Sequence, residues 1–283
     1  MTEVDWLELW RELVTRSTRP KTEKRLVERY KAHARKRTER SDPLLDFVLK
    51  EMDERDTVVE IGPGTGRWTI PLAKKVKSLT AIEPTSGMVD MLKENIANAG
   101  LDNVEILSQT WEESSPSVHD IVICAHGMYG SPDLSGFVRK MDRFARKGCY
   151  LALRLPPADG IMAELSLKMY GCRHDSPDAV IAWNALYTMG INANVLVEKG
   201  MESWVNDTLD DAFIRAKRHL SLEESGTRYD DLICSTLKRR LSFSDGAYSW
   251  PDGMRSALLW WYPGQNNDST AGYALDSASG EVN

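Results

Sequence analysis

The chain has 283 residues, of which 42% are hydrophobic and 28% are charged, and its formal net charge is -6. This length and composition suit one large α/β domain, alone or with additions, and allow a sizeable buried core. No stretch approaches the roughly 20 apolar residues of a membrane span, and Met1–Trp10 is acidic and amphipathic rather than signal-like. We therefore expect a cytoplasmic protein without membrane association.

The cysteines and histidines form no pattern typical of a metal site or a disulfide framework. The four cysteines are widely separated with no C-x-x-C pair, and Cys124 and Cys149 fall in predicted core strands. The five histidines also lack the spacing of metal ligands. We expect reduced thiols and no bound metal.

Positive charge is concentrated near the start of the chain. Residues 11–40 contain twelve Lys or Arg and four acidic residues, a local excess of eight positive charges that leaves -14 for the rest. A basic arm on an acidic body is one signature of a nucleic-acid-binding protein. However, Tyr30 is the only aromatic residue interleaved in the basic run, so we favour a solvated helix face that docks on the acidic domain.

The first 52 residues are predicted to form a helical extension ahead of the first strand. A first amphipathic helix is indicated by apolar residues at helical spacing: Trp6, Leu7, Trp10, Leu13 and Val14. A second helix is predicted over Lys21–Arg40. A third is predicted over Pro43–Met52, with Ser41 or Asp42 as its cap.

After this extension, strands and helices alternate. The predicted strands are Thr57–Ile61, Leu79–Glu83, Val104–Leu107, Asp120–Ala125, Cys149–Leu155, Asn194–Val197 and Ser256–Trp261. The predicted helices are Arg67–Lys75, Ser86–Ala99, Pro132–Lys147 with Ser131 as cap, Ile161–Tyr170, Ala179–Met189, Asp207–Leu220 and Thr227–Leu241. Runs such as I-V-I-C-A are apolar on both faces, as a covered parallel sheet requires. The pattern predicts an α/β protein with a three-layer α/β/α sandwich.

The most informative segment joins the first predicted strand to the following helix. It reads V-V-E-I-G-P-G-T-G over residues 58–66, and S-L-T-A-I-E-P follows over residues 78–84. The alternating glycines permit a sharp turn close to a ligand, and the next helix begins with free N–H groups that favour an anion. A dinucleotide fingerprint, G-x-G-x-x-G, would place its third glycine at Arg67 and does not match.

The E-x-G-x-G-x-G spacing from Glu60, together with E-P-T-S-G-M at residues 83–88, resembles class I S-adenosylmethionine (SAM) methyltransferases over roughly residues 56–264. The resemblance implies SAM as cofactor, S-adenosylhomocysteine (SAH) as product, and a mostly parallel seven-stranded sheet with an antiparallel last strand. The cofactor-binding residues that it implies are Glu60, Gly62, Pro63, Gly64, Thr65, Gly66, Glu83, Pro84 and Met88. Glu60 and the glycine turn would meet the methionine end of SAM, and Glu83 would meet its ribose.

The residues that would meet adenine are less well defined by the resemblance. Family members often carry an Asp after the third strand, whereas this chain reads S-Q-T-W-E over residues 108–112. Gln109, Thr110 or Glu112 could take the place of that Asp, and Trp111 could join Met88 in an apolar slot. The alternative for Trp111 is an ordinary core tryptophan.

The segment after the fourth predicted strand reads A-H-G-M-Y-G from Ala125 and occupies the place where the family positions acceptor-side residues. His126 could remove a proton from an oxygen or nitrogen, and Tyr129 could orient the acceptor. The alternative is a histidine that only holds the loop. The D/N-P-P-Y/F signature of enzymes that methylate nucleic-acid amino groups is absent at this place.

Two further groups are predicted to face the acceptor. The second N-terminal helix would contribute Tyr30, His33 and Arg37, and a cap over residues 156–192 would contribute Trp183, Asn184 and Tyr187. The alternative for the cap residues is an ordinary core stripe.

The expected division of the chain is therefore a helical extension or lid at residues 1–52, a methyltransferase domain at 53–264, and a disordered tail at 265–283. A helical insertion is expected at residues 207–242. We expect a monomer or homodimer that methylates an oxygen or nitrogen of a small molecule rather than a nucleic acid. Two alternatives stay open: an RNA or protein methyltransferase that uses the basic arm, and a non-catalytic SAM-binding module.

Overall fold

The computed structural model describes residues 4–16, 42–199, 203–222, 226–251 and 253–264. The predicted helix Lys21–Arg40, with Tyr30, His33 and Arg37, lies outside these residues, as does the predicted tail. Within the described ranges, no helix combines the length and the apolar character needed to cross a membrane.

The strands of the described residues form two sheets. They are β1 (Thr57–Ile61), β2 (Ser78–Ile82), β3 (Val104–Leu107), β4 (His119–Ala125), β5 (Ala145–Leu155), β6 (Asn194–Val197), β7 (Val205–Asn206), β8 (Ser242–Ser244), β9 (Ala247–Ser249) and β10 (Arg255–Trp261). The main sheet has the order β3-β2-β1-β4-β5-β10-β6, and β10 is antiparallel to both its neighbours. The strand order reverses between β1 and β4, and such a switch point opens a ligand crevice at the carboxyl ends of the strands.

The helices of the described residues are α1 (Trp6–Arg16), α2 (Pro43–Lys50), α3 (Thr69–Lys75), α4 (Ser86–Asn98), α5 (Leu134–Phe144), α6 (Ile161–Tyr170), α7 (Ala179–Thr188), α8 (Leu209–His219) and α9 (Asp230–Arg240). Buried residues of α1, α5 and α7 form one hydrophobic cluster with the sheet, and those of α2, α3 and α4 form another. Alternation within β1 explains the two layers, because Val58 belongs to the second cluster and Val59 to the first. The predicted three-layer sandwich is confirmed.

A third hydrophobic cluster joins α6, α8 and α9 with Trp250, and we call these helices and the small sheet the cap. The small sheet has the order β7-β9-β8. Its strands have only two or three residues each, too few for a recognisable alternation, and the sequence did not predict them.

The predicted helix Pro132–Lys147 and the strand after it had the wrong boundaries. The helix is Leu134–Phe144 rather than Pro132–Lys147, and its cap is Asp133, whose side chain accepts a bond from Gly136 N at 2.9 Å, rather than Ser131. The next strand begins at Ala145, opposite His119, rather than at Cys149. Arg146 Nε lies 3.2 Å from Asp120 Oδ1 of β4, so this part of the chain pairs with the neighbouring strand.

The first two helices belong to the packed body. Trp10 of α1 is fully buried, and its Nε1 donates a hydrogen bond to Ser131 O at 2.9 Å. Asp42 caps α2 by accepting a bond from Leu45 N at 3.2 Å, as predicted. The predicted aromatic stripe is therefore a core contact of α1.

Candidate cofactor and acceptor site

The turn after β1 carries three glycines with positive φ. Gly62, Gly64 and Gly66 have φ of 67°, 59° and 94°, a region that disfavours every residue with a Cβ. A Cβ on Gly62 would also lie 2.9 Å from the Cα of Gly127, in the loop after β4. Glycine is thus needed at this position both for the turn and for the contact between the two loops.

Glu83, at the end of β2, ties this turn to the next helix. The residue is only 6% exposed. Its Oε2 accepts a hydrogen bond from Gly64 N at 3.1 Å, and its Oε1 accepts one from Thr85 N at 3.0 Å. An ionised carboxylate has about four acceptor positions, so Glu83 keeps capacity for hydroxyl donors of a ligand.

Glu60, the acidic residue that opens the glycine motif, is buried in β1. It is 1% exposed, and its Oε2 has no hydrogen-bond partner among the described residues. Burial raises the pKa of Glu60 to about 7; the nearby Glu83 acts in the same direction, and Thr69 opposes it. A buried acid with an unpaired oxygen fits a ligand that brings a cationic donor.

Asn95 of α4 supports the same turn and was missed by sequence reasoning. Its Nδ2 donates to the carbonyl oxygen of Thr65 at 2.7 Å. Asn95 is one of several polar residues of an amphipathic helix, so the sequence did not indicate this contact.

The residues predicted near adenine lie in α4 and in the loop after β3. Met88, in the first turn of α4, is 2% exposed, and Thr110 donates from its hydroxyl to Glu113 at 2.8 Å. Glu112 accepts a bond from the Ser131 hydroxyl at 2.5 Å, which links the loop after β3 to the loop after β4.

Trp111 is a core residue, as the alternative interpretation had it. It is 3% exposed, its Nε1 donates to Phe137 O at 3.2 Å, and its ring lies 6.0 Å from that of Phe144. The side chain packs on α5 and so does not offer an open slot for adenine.

His126 follows β4 directly and adopts a strained conformation. Its φ is 60°, which is uncommon for a residue with a Cβ. Its backbone N donates to Ala152 O at 2.9 Å, its Nδ1 lies 3.0 Å from the Tyr129 hydroxyl, and its Nε2 lies 3.4 Å from Ser256 Oγ. The structure thus brings together the predicted pair His126 and Tyr129 and adds Ser256 of β10.

Tyr129 is held in place by Arg154 of β5. The Tyr129 hydroxyl accepts a bond from Arg154 N at 2.6 Å, and the Arg154 guanidinium lies 4.1 Å from the centre of the Tyr129 ring. Burial raises the pKa of Tyr129 to about 12, so the hydroxyl stays protonated at neutral pH. Sequence reasoning missed Arg154 and Ser256 because both belong to strands that pair only in the folded sheet.

The predicted acceptor residues Trp183, Asn184 and Tyr187 lie on α7. The opposite side of α7 is buried against the sheet, and Trp183 and Tyr187 are 37% and 62% exposed. Their rings stack with centres 5.9 Å apart, and Asn184 donates to Val180 O within the same helix. α7 packs on the sheet as a helix of the sandwich layer, and a role of these three residues toward the acceptor stays a prediction.

A cleft lies between the end of β5 and the cap. Its lining residues are Pro156, Pro157, Gly160, Ile161, Met162, Ala163, Asp175, Trp204, Trp250, Pro251 and Met254. Pro156 follows β5 directly, so the cleft adjoins the strand that holds Tyr129. The walls are mainly apolar, and Asp175 supplies the charged side chain.

Comparisons with known proteins identify the central part of this fold. Residues 58–148 match a family model described as a methyltransferase domain. Over 68 residues the chain is 43% identical to the "Probable ribosomal RNA small subunit methyltransferase A" of Methanosphaera stadtmanae, but it spans only 25% of that protein and 23% of its own length. Over 228 residues it is 24% identical to an uncharacterised protein of Haemophilus influenzae, with 77% of this chain and 80% of that protein covered.

Two solved structures share the fold. The YcgJ protein of Bacillus subtilis superposes with a TM-score of 0.52 at 16% identity, over 77% of this chain and 97% of that one. A protein of Bacillus halodurans superposes with a TM-score of 0.53 at 15% identity, over 77% and 98%. Residues 58–148 therefore match a methyltransferase domain, and the sheet order and the two superpositions show the fold that surrounds them. This fold is the Rossmann-like fold of class I SAM-dependent methyltransferases.

Proposed function

We propose that the protein is a SAM-dependent methyltransferase that acts on an oxygen or nitrogen of a small molecule. The observation that carries this proposal is the meeting of two loops at the sheet's switch point: the glycine turn with Glu83 on one side, and His126 on the other.

The residues around the glycine turn fit two parts of SAM, its ammonium group and its ribose. Glu60 offers a buried, unpaired carboxyl oxygen for the ammonium group, and the positive-φ glycines leave room for a close approach. Glu83 offers a carboxylate for the ribose hydroxyls. SAM would supply an activated methyl group on a sulfonium, so most of the remaining work is alignment of the acceptor and removal of its proton.

His126 is the residue that we assign to proton removal. To act as a base through Nε2, the imidazole must carry its own proton on Nδ1 and donate it to the Tyr129 hydroxyl oxygen, 3.0 Å away. The Arg154 N–H and the buried ring fix that oxygen, so Tyr129 serves as a positioning residue. An acceptor O–H or N–H could then replace the long 3.4 Å contact between Nε2 and Ser256 Oγ.

The cleft below the cap supports a small-molecule acceptor. Its walls are mainly apolar and carry one charged side chain, Asp175, as is typical of small-molecule sites. The second candidate is an RNA acceptor, favoured by the names of several relatives and by the basic run at residues 11–40. Those relatives match less than half of this chain, so their names are weak support for an RNA acceptor here.

A transfer assay with methyl-labelled SAM separates these candidates. The full chain is incubated with pools of small phenols and amines, and separately with total RNA, at low and high salt. We expect label in small molecules, largely independent of salt. Label in RNA that falls steeply as salt rises would favour the RNA candidate. Bound SAM without label in any pool would favour a non-catalytic module.

A further inference from the structure

The cleft below the cap has an aromatic wall that is held in a fixed orientation. The rings of Trp204 and Trp250 lie 5.4 Å apart and nearly perpendicular, at 77°. Trp250 Nε1 donates to Asn206 Oδ1 at 2.9 Å, and Trp250 N donates to Trp204 O at 2.9 Å. Because both the ring and the backbone of Trp250 are bonded, this wall is preorganised for a flat ligand.

One charged side chain lines the same cleft. The Asp175 side chain is 2% exposed, and its Oδ2 is paired with His219 Nε2 of α8. Burial alone would raise the pKa of Asp175, but the His219 hydrogen bond and the positive charges of His219 and Arg154 outweigh it and lower the pKa. An ionised carboxylate can only accept hydrogen bonds, so a ligand that meets it must donate.

The cleft also adjoins the acceptor side of the proposed methyl-transfer site. Pro156 lies two residues after Arg154, whose N–H holds the Tyr129 hydroxyl. Met254 lies two residues before Ser256, which faces His126. A ligand in the cleft therefore sits beside the two strands that position His126.

We propose that this cleft binds the anchoring end of the acceptor, and that this end is an aromatic ring bearing an O–H or N–H group. The ring packs against Trp204 and Trp250, and the donor bonds to the Asp175 carboxylate. The assignment of this ligand as methyl acceptor rests on the proposed function, whereas its binding does not.

Three matched probes test the recognition directly in the full-length protein with SAH present. They are 4-ethylphenol, 4-ethylanisole, in which the donor is capped, and 4-ethylcyclohexanol, in which the ring is saturated. Binding is measured by saturation-transfer NMR and by calorimetric titration. We expect 4-ethylphenol to bind about tenfold or more tightly than either of the other two, because each of these lacks one of the two contacts.

Two substitutions with matched controls locate the binding. Asp175→Asn should remove most of the preference for 4-ethylphenol over 4-ethylanisole, whereas Asp178→Asn should not, although Asp178 is also buried and paired with a histidine, His174. Trp204→Leu should weaken the phenol and the anisole alike. Its control is Trp260→Leu, because Trp260 packs on Phe47 outside the cleft. Thermal unfolding and SAH affinity verify that each variant is folded.

Equal affinity for the three probes, or no binding of 4-ethylphenol, would overturn the inference. So would an unchanged preference in a folded Asp175→Asn protein. If Asp175→Asn does not fold, the wild-type comparison of the three probes decides alone. Failure of the proposed function is seen separately, as a lack of SAM binding or of methyl transfer in a protein that still prefers the phenol.

Discussion

Gly62 and Gly127 bring two loops of the sheet into backbone contact. A Cβ placed on Gly62 would lie 2.9 Å from Gly127 Cα, and one placed on Gly127 would lie 2.8 Å from Ile61 O. The first glycine belongs to the turn after β1 and the second to the loop that carries His126. The proposed cofactor and acceptor sides of the site are therefore held together by the absence of two side chains.

Gly62→Ala should destabilise the fold more than the same substitution at a glycine that has a similar positive φ but open space around it. Gly100 is the matched control, since its φ is 64° and nothing lies within 4 Å of an added Cβ. We expect Gly100→Ala to lower the free energy of unfolding by about 1–2 kcal/mol, and Gly62→Ala by about 1–3 kcal/mol more. Urea unfolding measures both, and equal losses would show that the loops separate without cost.

Glu60 should make the stability of the ligand-free protein depend on pH. Its pKa is raised from 4.5 to about 7 in the folded state, so the folded protein binds a proton more tightly than the unfolded chain between these values. The stability that protonated Glu60 contributes is thus present at low pH and is lost as pH rises through 7. Between pH 5 and 8, the free energy of unfolding should fall by about 2–3 kcal/mol more in wild type than in Glu60→Gln. If the free energy of unfolding changes with pH in the same way in both proteins, the raised pKa of Glu60 is contradicted.

His126 should show opposite effects on stability and on turnover. His126→Gly relieves the strained φ of 60° and should stabilise the fold by about 1 kcal/mol, while turnover falls about a hundredfold or more because the base is lost. Tyr129→Phe should lower turnover less, since it removes only the partner of Nδ1. SAM affinity should stay near wild type in both. If His126→Gly turns over within a few-fold of wild type across pH, the histidine only holds the loop.

Trp10→Ala should destabilise the whole domain, since α1 is part of the core. The side chain is fully buried and bonded to Ser131 O, and the loss should be about 3–5 kcal/mol. Trp183→Ala, at a position 37% exposed, is the control and should cost much less. Comparable losses in thermal unfolding would show that α1 is not an integral element.

The sequence could predict the main sheet because its strands are nearly continuous apolar runs bounded by glycine and proline. The predicted Thr57–Ile61, Val104–Leu107 and Asn194–Val197 agree with β1, β3 and β6 residue for residue. The boundary after α5 was missed because Arg146 and Lys147 resemble a basic helix end, whereas they belong to β5 and pair with Asp120. That pairing is decided by the neighbouring strand and leaves no local pattern.

The cofactor half and the acceptor half of the candidate site also differed in how much the sequence alone could predict. The glycine turn and Glu83 are contiguous motifs and could be read directly from the chain. The supports of His126 and the lining of the cleft come from segments far apart in sequence, such as Ser256 and Asp175. The exposure of Trp183 and Tyr187 on α7 could not be predicted, because helical spacing cannot tell an outward face from an inward one.

Calorimetric titration of SAM into wild type, Glu83→Ala and Glu105→Ala measures whether Glu83 binds the cofactor. Glu105 is an exposed acid on β3 and serves as the charge-matched control. We expect Glu83→Ala to weaken SAM binding by about 1.5–3 kcal/mol, because a charged hydrogen-bond partner is lost, and Glu105→Ala to leave it unchanged. Unchanged affinity in a folded Glu83→Ala protein, or tight binding of NAD by wild type in place of SAM, would contradict this expectation.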